Sequence, residues 1–135
     1  MKAQELRIGN LIYWNIDEKL NVPHTVVGIR KDRPQTIPIS LGNSIEDYSG
    51  IPINEEWLLK FGFEKTEKKN PEVEYERFLF TKGVLEFYLH EGRVIPAPYY
   101  FGNAFNELEM PIQYIHQIQN IAFVLTGKEL TINNN

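Results

Sequence analysis

The stretch Ile112–Gly127 constrains the fold more than any other segment, because it has two unlike sides. On a helical wheel, Tyr114, Ile115, Ile118, Ile121, Ala122 and Leu125 make one apolar stripe. Gln113, His116, Gln117 and Asn120 make a polar stripe opposite it. Such a segment is a helix docked on a core, offering uncharged hydrogen-bonding groups to whatever faces it. Solvent-facing helix sides usually carry Lys and Glu, and this one carries no charge. Phe123 and Val124 extend the apolar character around its end. The helix is therefore expected to be covered twice, by its own sheet and by a second body. That second body is either the N-terminal block or another chain. The alternation in Ile112–Ile115 also allows a short strand, with the helix starting near His116 and ending at Gly127.

The rest of the chain supplies the sheets. Leu6–Ile29 reads as a bent hairpin, with β-formers at Leu6, Ile8, Leu11, Tyr13, Val22, Val26 and Ile29 and turn residues at Asn15–Asn21. Gly9-Asn10 and Gly28 suggest a bend and a bulge. Thr36–Leu41 reads as a short strand that Pro38 confines to an edge. A short helix follows Asn54, a favoured N-cap, with Glu55 and Glu56 at its positive end and Gly62 at its C-terminal turn. Residues 64–72 read as a charged turn. Residues 75–81, 84–90 and 93–95 read as an antiparallel meander turning at Lys82-Gly83 and Glu91-Gly92. The expected fold is α+β: a bent N-terminal β-hairpin or SH3-like half-barrel, a short helix, the meander, and a C-terminal helix packed on the sheet. At 135 residues, one domain spanning 1–135 is expected.

Composition narrows function mainly by exclusion. There is no cysteine, so disulfides and thiolate metal sites are excluded. The N-terminus lacks an apolar signal core, and the longest apolar run, Ile121–Leu125, is too short to span a bilayer. A cytoplasmic protein without membrane attachment is expected. A net charge of -4 argues against a sequence-independent grip on nucleic acid. Two local basic clusters remain, Arg30/Lys31/Arg33 and Lys65/Lys68/Lys69, each interrupted by acids.

Candidate chemistry is sparse. His24, His90 and His116 show no metal-binding spacing, and their plain reading is a turn residue, a strand-end residue and a helix-surface residue. Ser40, Ser44 and Ser49 lack a nucleophile elbow. Gly9, Gly28 and Gly42 are isolated and build no phosphate cradle. No catalytic residue, metal site or cofactor is assigned. Two features suit binding. Tyr99, Tyr100 and Phe101, with Phe105, cannot all point inward from an extended segment, so they form either a lid over the core or an exposed platform. Trp14 is either an anchor for a partner or a core plug. With Gln113, His116, Gln117 and Asn120 they make up the candidate interaction surface.

Four pieces of the chain, in order, resemble a known family. They are Leu6–Tyr13, Val27–Ile29, Ile53–Phe63, and Tyr114–Asn120 continuing through Leu125–Leu130. Of these, Glu55-Glu56-Trp57-Leu58-Leu59-Lys60-Phe61-Gly62-Phe63 and the His-Gln-x-Gln-Asn run at 116–120 are the more specific. Together they resemble short uncharacterised proteins of Bacteroides-like bacteria and their prophages or mobile elements. The match leaves out residues 64–110. It implies a phage or mobile-DNA setting and transfers no functional residue.

The function expected from these features is a small non-enzymatic protein-interaction module, with a protein partner or self-association. One alternative is a nucleic-acid-binding accessory factor using Trp14, Arg30, Lys31 and Arg33, with bases stacked on Tyr99 or Tyr100. Another is a small enzyme whose site is assembled from His90, His116 and scattered carboxylates.

Overall fold

A computed structural model describes residues 1–16, 22–31, 33–42, 44–70, 72, 74–96 and 112–132. The fold is α+β, with two antiparallel sheets of four strands each and a C-terminal helix. The chain divides into two compact units. One comprises residues 1–52 and 114–129, the other residues 53–113 and 130–135.

The first unit contains β1 (Leu11–Trp14), β2 (Pro23–Arg30), β3 (Arg33–Ile37) and β4 (Tyr48–Gly50), in the order β3-β2-β1-β4. β1 is the central strand. Leu11 pairs with Thr25 of β2, and Ile12 pairs with both His24 and Gly50. The bulge suggested by Gly28 is present as a register shift between Val26 and Gly28. Leu6, Ile12, Val26 and Tyr48 form the unit's core cluster, with Trp14 and Ile45 packed against it. Ile12 and Val26 are fully buried, and each such side chain stabilises the fold by about 1.5–3 kcal/mol.

The C-terminal helix α2 (Ile115–Thr126) belongs to this first unit, whereas the sequence reading set it on the meander. Its start is stitched to the chain just beyond β4. Ile115 N–H donates to the Ile51 carbonyl at 2.8 Å, and Pro52 bridges Tyr114. The expected strand-like pairing ahead of the helix is thus confined to isolated bridges at Ile112 and Tyr114. Gly50 permits this junction: a Cβ there would lie 2.7 Å from the Tyr114 ring.

The second unit holds α1 (Glu55–Lys60), β5 (Glu64–Glu67), β6 (Phe78–Lys82), β7 (Leu85–His90) and β8 (Arg93–Pro96), with the sheet in simple meander order. α1 follows its punctuation. Asn54 caps Trp57 N–H at 2.9 Å. At the other end Gly62 takes φ 90°, Gly62 N–H reaches Leu59 O and Phe63 N–H reaches Leu58 O. Phe80 pairs with Phe87, both buried, and the Phe63 ring meets Phe87 at 5.9 Å.

Two expectations on this unit are corrected. Residues 64–67 form strand β5 and not part of a turn; all four are exposed, and their charges blunt a sheet edge. Glu74–Arg77 is a 3-10 turn, so β6 begins at Phe78 and not at residue 75.

Gly50→Ala is expected to destabilise the protein by about 1–3 kcal/mol, because the new methyl must displace an aromatic ring. Urea denaturation checks this. An unchanged midpoint would show that the Tyr114 ring yields freely.

Candidate functional site

The polar side of α2 meets residues 5–11 of the same chain. Gln119, which belongs to neither stripe of the sequence reading, makes the central contacts. Its Oε1 accepts from Leu11 N–H at 2.9 Å, and its Nε2 donates to the Gly9 carbonyl at 3.1 Å. One side-chain amide thus serves two groups of an irregular backbone, as a neighbouring strand would. Asn120 Oδ1 accepts from Arg7 Nε at 2.9 Å and from Asn10 Nδ2 at 2.8 Å. Asn120 Nδ2 donates to the Glu5 carbonyl at 2.7 Å. Asn10, fully buried, turns its Oδ1 back to Arg7 N–H at 2.7 Å.

The end of α2 completes the clasp. Gly127 adopts φ 72°, and its N–H returns to the Phe123 carbonyl. This left-handed residue turns the chain so that Glu129 pairs with the Arg7 guanidinium. The same guanidinium lies 4.4 Å from the centre of the Phe123 ring. Two pieces of the family-like pattern, one holding Arg7, Gly9 and Asn10 and the other His116, Gln119, Asn120 and Glu129, are therefore the two halves of one interlock.

His116 is buried, a correction to its reading as a helix-surface residue. Its Nε2 faces Glu5 Oε2 at 3.2 Å, the Tyr114 ring stacks on it at 5.9 Å, and its buried Nδ1 has no hydrogen-bond partner among the described residues. Burial holds its pKa below the ordinary 6.5, against the opposing pull of the Glu5 carboxylate. A second ring proton would also be a buried, unanswered donor.

Gln117 Oε1 accepts from Tyr114 N–H at 3.0 Å, a local cap. Gln113 falls in the second unit, half-buried, and its carbonyl accepts from Ile53 N–H. Trp14 is half-buried on the core cluster, its ring edge-on to His24 at 6.0 Å. Tyr99, Tyr100, Phe101 and Phe105 lie outside the described residues.

A second polar group ties β2, β3 and β4 to residues 38–42. His24, read as a turn residue, is a buried member of β2. Its Nδ1 lies 2.8 Å from the Pro38 carbonyl, which also accepts from Thr36 Oγ1 at 2.7 Å. A carbonyl only accepts, so Nδ1 carries its proton. With the Thr36 proton committed, Ser40 must donate to Thr36 (2.7 Å) and Tyr48 to Ser40 (2.6 Å), while Tyr48 accepts from Gly42 N–H (3.2 Å). Every donor runs toward Pro38 O. Among the described residues Ser40 therefore meets no base to activate it, and the cluster holds residues 38–42 in place.

In front of that scaffold lies an open groove of about 510 Å³, lined by Arg33, Pro34, Gln35, Thr36, Ile39, Ser40 and Leu41. Ile37, Ile39 and Leu41 are 63%, 79% and 77% exposed. The expected edge strand over Thr36–Leu41 is corrected: β3 is an edge strand but spans Arg33–Ile37, ending ahead of Pro38, so Ile39 and Leu41 lie beyond it. Arg30, Lys31 and Arg33 form no ion pair among the described residues, with Asp32 between them in sequence. In the other basic cluster two of the lysines are engaged: Lys65 pairs with Glu55 and lies over Phe78, and Lys68 lies over Tyr88.

Among the described residues, no three His, Asp or Glu side chains gather as a metal site. No helix among them is long and apolar enough to cross a membrane. Compared with family models, with curated proteins and with solved structures, the chain matches none.

Two outcomes are expected. Gln119→Leu should cost at least about 2 kcal/mol in denaturant unfolding, since it leaves Leu11 N–H and Gly9 C=O unanswered. A loss below about 0.5 kcal/mol would contradict the clasp. For His116, the unfolded chain takes its proton near pH 6.5 and the folded chain only at lower pH. Its contribution is therefore complete above 6.5 and is lost as pH falls toward the depressed value. Unfolding midpoints followed from pH 7.5 to 5 should fall over that window, and His116→Gln should flatten the fall.

Proposed function

We propose that the chain is a non-enzymatic protein-interaction module of phage or mobile-element origin, acting in the cytoplasm. The observation that carries this reading is the exposed row Ile37, Ile39 and Leu41 beside the groove. Adjacent exposed aliphatics held on a rigid backing mark a surface that another molecule covers. The binding surface is accordingly the groove and not the polar side of α2, whose His116, Gln119 and Asn120 are engaged within the chain. The genomic setting rests on the four family-like pieces. The hydroxyl chain that leaves Ser40 without a base supports the non-enzymatic side of the reading.

The basic turn at Arg30, Lys31 and Arg33 favours one second reading, a nucleic-acid accessory factor. It is the weaker reading because Trp14 is packed on His24 and not free to stack on a base.

A photo-crosslinking residue placed at Ile39 in the native host, with Lys60 as the control position, tests the proposal. A recurrent protein adduct that survives nuclease and is missing from the Lys60 control is expected. Adducts to nucleic acid alone, or no adduct, would overturn it.

A further inference from the structure

The inference that follows rests on the interaction-module reading and names the partner's chemistry. We infer that the groove beside β3 takes an extended, acidic segment of a protein partner, with aliphatic side chains at alternate positions and carboxylates at the end nearest the β2–β3 turn.

The apolar half of this description comes from the rim. Ile37, Ile39 and Leu41 point outward at alternate positions, while Thr36, Ser40 and Gly42 are bonded inward through the hydroxyl chain. The backing keeps the three aliphatics from turning in. An extended partner also presents every second side chain to one face, so its row can pack against this one.

The acidic half comes from charge. Arg33 lines the groove, and Arg30 and Lys31 stand exposed beside it. Three cations against the single Asp32 make a locally positive turn on a chain of net charge -4. No carboxylate answers Arg30, Lys31 or Arg33 among the described residues. Arginine forks recognise carboxylates with two parallel hydrogen bonds, which gives such a partner a fixed direction along the groove.

Other occupants fit less well. Among the described residues the lining contains no aromatic ring on which a base could stack. A bilayer is flat, whereas this surface is concave, and among the described residues its rim lacks the aromatic anchors of interfacial proteins. β3 is an edge strand, but Pro34 within it removes one ladder donor and Pro38 follows its end. Recognition is therefore by side chains across the groove, not by strand addition.

A random heptapeptide library displayed on phage, selected on the full chain, tests this. Selected peptides should be enriched in Asp and Glu beside alternating Val, Ile or Leu. Ile39→Ser and Leu41→Ser should each weaken the best peptide at least about tenfold, with circular dichroism unchanged. Arg33→Glu should shift selection toward Lys and Arg. No enrichment, neutral or basic winners, or affinities indifferent to these changes would overturn the inference. So would displacement of the peptide by oligo-dT or by phosphatidylserine vesicles. If the Ile39 crosslink still captures a protein whose attached stretch lacks acids, the inference fails and the interaction-module reading stands.

Discussion

The side-chain amide of Gln119 is the contact on which the first unit depends. Residues 6–10 form neither helix nor strand, and although Gly9 N–H and Asn10 C=O bond to Val26 of β2, the Gly9 carbonyl and the neighbouring Leu11 N–H turn to a side chain instead. Buried groups of that kind cost about 1–3 kcal/mol each when unanswered. Gln119 answers Gly9 C=O and the N–H of Leu11, the first residue of β1, from inside a helix, and Asn120 answers Glu5 O while orienting Arg7 and Asn10. The geometry is demanding. It needs Gly9 at φ 101° to present its carbonyl and Gly127 at φ 72° to bring Glu129 back to Arg7. A neutral, charge-free helix side is what such a clasp requires, because a Lys or Glu there would be buried against backbone.

This explains why an uncharged helix face is a poor guide to a partner in this protein. The face has its second cover already, supplied by the chain's own N-terminal residues. What is left uncovered beside the groove is an aliphatic row, Ile37, Ile39 and Leu41, backed by hydroxyls whose protons all run toward one carbonyl and flanked by the exposed Arg30 and Lys31.

Legibility in the sequence followed the range of the forces involved. α1 was readable because Asn54, Gly62 and Phe63 act within one turn of the helix they bound. β7 was readable because Leu85, Phe87 and Leu89 alternate with Glu86, Tyr88 and His90 in the sequence, although Tyr88 is buried as well. β5 was not, since Glu64-Lys65-Thr66-Glu67 carries no apolar residue and is a strand only through its pairing with β6. The helix α2 was legible as an element, and the N-terminal block was one of two foreseen covers. Its key residue was missed because a helical wheel sorts side chains by polarity. Gln119 lies four residues from Ile115 and three before Ala122, on the buried side, and that position was the available signal. The groove stayed hidden because exposure of an alternating row depends on which strands flank it.

Native-state hydrogen exchange at the Leu11 amide tests the central claim most directly. This N–H has a side-chain acceptor and belongs to the clasp, so its opening should require the same free energy as the amides of Ile118 and Ala122 in mid-α2. Matching protection across denaturant concentrations is the predicted result. A Leu11 amide that exchanges freely while α2 remains protected would show that the N-terminal block and the helix are not held together, and would contradict the account.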